Sequence, residues 1–322
     1  MDASEVWKDV FQNLKSNADV YLGSDKIRQV YKNPGLSISF SVDDLDHRIN
    51  ACIRKSGSSN YDIRILAGLV GALEQHGNEV IHSCPILFSD LDRTDEKRIG
   101  IAHSYLLYLW LDFIFCHEWA HALCGHLDFD SRINEWYEFE NEEFPAKEIE
   151  NQISQRLEAE ADSVAAKFSL ARFSTYWEGL TKELSPNPTG KRALRDYVIA
   201  MLLLFKFFEE LRARAEKSKN THPIPFNRAF IFLAFCLGEY SNIPGLPVLS
   251  SEDKDLLFGV AAVEFYVKVL GIDPTQYLIK SIEAAKFTES VGRTIESLGM
   301  NKYRIYAGKK INVNGKNEGK HA

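Results

Sequence analysis

The sequence predicts an α+β fold that is mainly α-helical, with a small N-terminal β-sheet. Two short segments alternate apolar and polar residues as half-buried strands do, "LSISFSV" at 36–42 and "YDIRIL" at 61–66, and both lie in the first hundred residues. From Ile99 onward the apolar residues recur at helical spacing in long runs. Those runs are separated by turn-forming stretches, "SPNPTG" at 185–190 and "SKNTHPIP" at 218–225. With 322 residues and 45% apolar content, the chain can form a core without covalent staples.

The opening "MDASEVWKDVFQNLK" reads as an amphipathic helix and lacks the order of a signal peptide. Residues 1 to about 95 form a mixed α/β region, in which "KSGSSN" supplies turn chemistry ahead of the second strand. From Ile99 to Leu127 the pattern is helical and heavily apolar, and Gly125 marks its end. The acidic, aromatic stretch "DFDSRINEWYEFENEEFP" follows, then a helix from about Ile149 to Phe173. A long helix from about 191 to 217 comes next, with further helices near 226–238, 252–271 and 274–297. "YRIYAGKKINVN" at 303–314 is either a terminal hairpin or a frayed tail. The expected organisation is an N-terminal α/β region (1–98), a helical core (99–240), C-terminal helices (241–300) and a basic tail (301–322).

Bulk features narrow the function. Five cysteines are odd in number and form no CxxC pair, so a disulfide framework is not expected and a reducing, cytoplasmic setting is. The longest apolar stretches are "YLLYLWLDFIFC", "YVIAMLLLFKFF" and "AFIFLAFCLG"; each is shorter than the roughly 18 residues a membrane span needs. Asp112 and Lys206 interrupt the first two. They read as buried helices rather than an integral membrane span, which leaves association with a membrane surface open. A net charge of −7, without a basic, aromatic-interleaved patch, excludes nucleic acid as the expected partner. Between Asp128 and Glu150 nine acidic residues stand against Arg132 and Lys147, whereas the C-terminal tail is basic.

The chemistry concentrates in "CHEWAHALCGH", residues 116–126. His117 and His121 are i and i+4 on a helix, so both rings project from one face, one turn apart. That spacing grips one tetrahedral zinc ion, as in HExxH metallopeptidases. Glu118 lies about 100° round the helix from His117, placed to act on the attacking water as general base. An HExxH arises by accident in roughly 2% of chains of this length and composition, so a third ligand is required. "QRLEAEADSVAAKF" (155–168) offers Glu158, with Ala161 and Ala165 on the same side to let the two helices approach. Asp162, i+4 from Glu158, is expected to orient a ligand or a cation. Glu160, about 200° from Glu158, should face solvent or another layer. His126, half a turn out of phase from His117, is a rival ligand; a hydrogen-bonding role beside the site suits it better. Cys116 and Cys124 read as small buried hydrophobes and His103 as a packed core histidine.

"HEWAH", then "LEAEAD", then "THPIPFNR" resemble the gluzincin peptidases of the HtpX and CAAX prenyl protease type, and most closely the Lit peptidase family of phage-exclusion proteins. "EADS" at 160–163, "THP" at 221–223 and "KINVN" at 310–314 add to the likeness, which spans about two thirds of the chain. The resemblance implies a zincin-like metallopeptidase core with one zinc ion per chain, held by His117, His121 and Glu158. It implies Glu118 as catalytic base, His222 as the donor that stabilises the tetrahedral oxyanion, and Arg228 pairing with Asp162. It further implies a protein or peptide substrate, with a host protein cleaved during phage infection as the expected case. Many HtpX-type relatives are integral membrane proteins with convincing spans, which this chain lacks. Two other readings compete. An ImmA-type regulatory peptidase would cleave a repressor, but "EAD" here replaces "EAN" and no helix-turn-helix is apparent. A non-catalytic scaffold would retain a structural zinc, with His126 or Cys124 supplying a fourth ligand.

Overall fold

The computed structural model describes residues 10, 12–20, 36–129, 135–137, 148–184, 189–214 and 223–305. It is α+β and mainly helical. Strands β1 (Ser37–Asp43), β2 (Ala51–Lys55), β3 (Asn60–Leu66) and β4 (Glu135–Tyr137) form one sheet in the order β1-β3-β2-β4. β1 runs parallel to β3, while β2 is antiparallel to both β3 and β4. The register sets Phe40, Ile63, Ile53 and Trp136 side by side in one row across the four strands. Because side chains alternate faces along a strand, Phe40, Ile63 and Ile53 share one face, and Phe40 meets the ring of Phe115 at 5.1 Å.

Two of these strands are additions to the sequence reading. In β2, Ala51, Cys52 and Ile53 are all buried in succession, which hides the alternation that marks a half-buried strand. β4 lies inside the acidic stretch, and its partner β2 is far upstream, so no local pattern announces it. Within that stretch residues 135–137 form the strand, and residues 130–134 and 138–147 fall outside the described residues.

Helix α1 (Ala67–Ser83) follows β3 directly. Helix α2 (Glu96–Cys124) starts at Asp95, whose carboxylate accepts the Arg98 N–H, and ends at Gly125 in the left-handed region at φ 76°. From Tyr105 to Cys124 only Tyr108 escapes full burial, so this helix is apolar all round because it is surrounded. Glu96–Phe129 is long and apolar enough to cross a membrane by length and composition, yet 72% of its most apolar window is buried inside this protein. The charges within the apolar runs have partners. Arg172 Nε donates to fully buried Asp112 at 2.5 Å, and Lys206 reaches Glu210 one turn on at 2.6 Å.

After a one-turn helix (His126–Phe129) come α3 (Glu148–Leu184), α4 (Gly190–Arg214), α5 (Pro225–Glu239), α6 (Ser251–Val263) and α7 (Pro274–Ser297). α3 runs past the expected end at Phe173, and Leu184 in its last turn is buried. The single helix expected at 252–271 instead stops at Val263 and continues as a π-helical turn, Glu264–Val269, in which the Leu270 N–H reaches back to the Phe265 carbonyl. One apolar cluster runs from the sheet through α2, α3, α4 and α5. Asp128 ties the sheet to the end of α2: it accepts from Tyr61 Oη at 2.6 Å and pairs with Lys55. The expected terminal hairpin lies largely outside the described residues, but Tyr303–Ile305 is described and rests against the α2 terminus, with the Ile305 N–H bonded to the Leu123 carbonyl at 3.1 Å.

Candidate metal centre

α2 and α3 pack along their lengths, and alanine lets them close. Ala120, Ala161 and Ala165 are all fully buried. Across this contact α2 contributes His117, Glu118 and His121, and α3 contributes Glu158, Glu160 and Asp162. All six are 4% exposed or less. Glu158 Oε2 lies 3.1 Å from His117 Nε2, which is 3.1 Å from His121 Nε2, and His121 Nε2 is 3.6 Å from Glu158 Oε1. Two donors bound about 2.0–2.1 Å from one tetrahedral zinc ion would sit roughly 3.3–3.4 Å apart. The three donors match that spacing within a few tenths of an ångström.

The far sides of the rings decide what the near sides can do. Asp162 accepts two hydrogen bonds of 2.9 Å from the Arg228 guanidinium, and its Oδ1 lies 2.9 Å from His117 Nδ1, somewhat off the line of an ideal hydrogen bond. A paired carboxylate there favours the His117 proton on Nδ1, leaving Nε2 as a lone pair. His121 Nδ1 lies 2.8 Å from His126 Nδ1, and His126 Nε2 lies 3.1 Å from Glu160 Oε2. Burial, then the neighbouring His121, push the His126 imidazole well below its usual range. Two imidazole nitrogens and one carboxylate converge here. Such a trio of electron-rich atoms suits a divalent cation, and the mixed nitrogen and oxygen donors suit zinc.

Glu118 is fully buried on α2, one residue beyond His117. His126 does not join the triad: its ring stands behind His121, on the side away from Glu158. Its nearer companions are Cys124 and Glu160, a second group whose donor atoms lie within 4.8 Å of one another. Burial pushes the Cys124 thiol up to about 11, and Arg304 pairs with Glu160 in this second group. Cys116 is likewise pushed well above the ordinary thiol range by burial. His103 Nε2 bonds to the Glu74 carbonyl at 2.9 Å, away from the site. His222 lies outside the described residues.

Two residues escaped the sequence reading. Glu160 does not face solvent; the other layer it faces is His126 and Arg304. Arg304 counted there only as one charge of a basic tail. Nothing local marks either residue, because the first comes from a helix buried on several sides and the second from the far end of the chain.

Comparison with known proteins gives one match. The family model described as Peptidase U49 matches residues 88–236, a span holding α2, α3, α4 and most of α5, and with them His117, Glu118, His121, Glu158, Asp162 and Arg228. No curated protein and no solved structure matches the chain. The match supports a peptidase, a hydrolase whose substrate is protein or peptide.

Proposed function

We propose that this protein is a zinc-dependent endopeptidase with one zinc ion per chain. The observation behind the reading is the convergence of His117 Nε2, His121 Nε2 and Glu158 from two neighbouring helices, with Glu118 buried one residue beyond His117. Zinc, if held by His117, His121 and Glu158, would supply Lewis acidity for the scissile carbonyl and the attacking water. Glu118 takes the proton of the attacking water and passes it to the leaving amine. Asp162, held by Arg228, keeps His117 turned toward the cation, and His126 backs His121. His222, on the resemblance noted above, donates to the developing oxyanion. An extended substrate segment adds to an edge of the sheet, where β1 and β4 are the outer strands. A host protein cleaved during phage infection is the physiological substrate that the same resemblance suggests.

Complete burial favours a second reading. His117, Glu118, His121 and Glu158 are each 1% exposed or less, as suits a non-catalytic zinc scaffold. Hydrolysis therefore requires a state in which substrate reaches these residues. Elemental analysis of the purified protein, with a proteome-wide search for new N-termini after induction, separates the readings. The peptidase reading expects about one zinc per chain and new termini that disappear on chelation and return with zinc. Cleavage that survives exhaustive metal removal rules it out. Zinc without any cleavage, in cells with or without phage, supports the scaffold.

A further inference from the structure

Glu160 and Arg304 contribute nothing to the ligand triad, yet both are drawn in beside it. Glu160 is 4% exposed, its Oε2 lies 3.1 Å from His126 Nε2, and the Arg304 guanidinium pairs with its Oε1. His126 Nδ1 in turn lies 2.8 Å from His121 Nδ1. We propose that Arg304, Glu160 and His126 form a positioning chain that fixes the ring proton of His121 on Nδ1 and so turns its Nε2 lone pair to the cation site. The proposal rests on the zinc reading above.

The argument is proton counting. A carboxylate paired with an arginine is ionised and can only accept, so the hydrogen between Glu160 and His126 belongs to His126 Nε2. His121 Nε2 is one of the three converging ligand atoms, so the ring N–H of His121 falls to Nδ1 and His126 Nδ1 is its acceptor. The hydrogen in the Nδ1–Nδ1 contact therefore belongs to His121, whose Nε2 is left as a lone pair. The opposite order would aim the His126 Nε2 lone pair at an anion.

The chain depends on a segment remote in sequence. Arg304 lies 144 residues from Glu160, and main-chain contacts deliver it. The Ile305 N–H bonds to the Leu123 carbonyl at 3.1 Å, and Tyr303 packs its ring on Phe129 at 5.7 Å. Tyr303 also presses its carbonyl against Gly125, where a Cβ would stand 2.3 Å from the oxygen. The turn that ends α2 is thus also the seat of the strap that carries Arg304. The guanidinium beside Glu160 opposes a second cation at Cys124, His126 and Glu160. That cluster is better used to orient a ligand than to bind a metal.

Long-range proton–nitrogen spectra of the full-length, metal-free protein, labelled with nitrogen-15 in histidine, report each ring's tautomer directly. The expected result is His126 protonated on Nε2 and His121 on Nδ1. A His126 proton on Nδ1 overturns the proposal. Zinc affinity by chelator competition is the second measurement. Glu160→Gln, whose amide can donate to His126 and reverse the chain, is expected to weaken zinc 10–100-fold, the usual cost of losing an outer-shell partner. Its cobalt(II) spectrum should shift as well. Arg304→Gln should behave similarly and Arg304→Lys should recover most of the loss. Folded Gln variants with unchanged zinc affinity and cobalt spectrum overturn the proposal, and should they fail to fold, the wild-type tautomers decide. Two zinc ions per chain, one of them lost in Cys124→Ser, also overturn it. Wild-type protein that takes up no zinc overturns the metal reading and this proposal together, whereas a zinc-loaded wild type with the wrong tautomer overturns this proposal alone.

Discussion

Asp162 stands between Arg228 and His117, taking two hydrogen bonds of 2.9 Å from the guanidinium while its Oδ1 lies 2.9 Å from His117 Nδ1. The three residues come from α5, α3 and α2, so one buried carboxylate meets side chains of two other helices. A longer row of contacts leads from His121 through His126 and Glu160 to Arg304.

Replacing Asp162 with Asn should lower zinc affinity 10–100-fold, because the amide can no longer hold the His117 proton as an anion does. Replacing Arg228 instead leaves a buried carboxylate unpaired and should cost about 3–5 kcal/mol of stability. Arg228→Lys is no safe substitute, since the guanidinium binds Asp162 through two nitrogens and lies 5.0 Å from the centre of the Phe208 ring. Chelator competition and urea unfolding of the two single variants would check both effects. Equal zinc affinity in Asp162→Asn and the parent would refute the orienting role.

Glu118→Gln is expected to keep about one zinc per chain and to lose cleavage by a factor on the order of 10²–10⁴, the usual contribution of a general base. The paired measurement is metal content and turnover on the same preparation. Loss of metal from this variant would make Glu118 a ligand and remove the proposed mechanism.

His117→Ala or Glu158→Ala should abolish stoichiometric zinc binding. Because the donors come from separate helices, bound metal should raise the melting temperature of the parent protein, through preferential binding to the folded state. Neither variant should respond to added zinc. A zinc-dependent melting shift that persists in Glu158→Ala would place the third ligand elsewhere.

Asp196 is a stability site whose pH dependence has a definite sign. Its Oδ1 accepts the N–H of Phe88 at 3.0 Å, supporting a residue held at φ 46°, in the left-handed region. Burial raises its carboxyl from an ordinary 3.8 to about 7. The folded state then holds this proton more tightly than the unfolded chain does. The stabilisation is complete below about pH 4, declines by at most about 1.4 kcal/mol per unit as pH rises, and is exhausted above about pH 7. Asn keeps an acceptor for Phe88 without the charge, so Asp196→Asn should gain on the parent across that window. Urea midpoints of the metal-free proteins between pH 4.5 and 8 measure this; a difference that does not change with pH would mean the carboxyl titrates normally.

Much of the architecture is legible in the linear order of residues. Helical apolar spacing after Ile99, period-two alternation at β1 and β3, and Gly125 as a stop signal are local patterns, and local patterns survive folding. So is the pairing of His117 with His121, because four residues along a helix amount to one turn wherever that helix ends up. β2 and β4 are not legible: one is buried on consecutive residues, and the other exists only because a distant strand offers it hydrogen bonds.

What the sequence by itself determined is the kit of parts: an HExxH helix, a second helix with acidic residues at three- and four-residue intervals, and alanines small enough to bring the two together. Tertiary structure alone decided which carboxylate meets which ring. Glu158 faces both Nε2 atoms while Glu160, two residues on, turns to His126 and to an arginine from the far end of the chain. The physical reason is that helix periodicity fixes directions within one element. The direction in which a neighbour lies is fixed only when every element has packed against the same core.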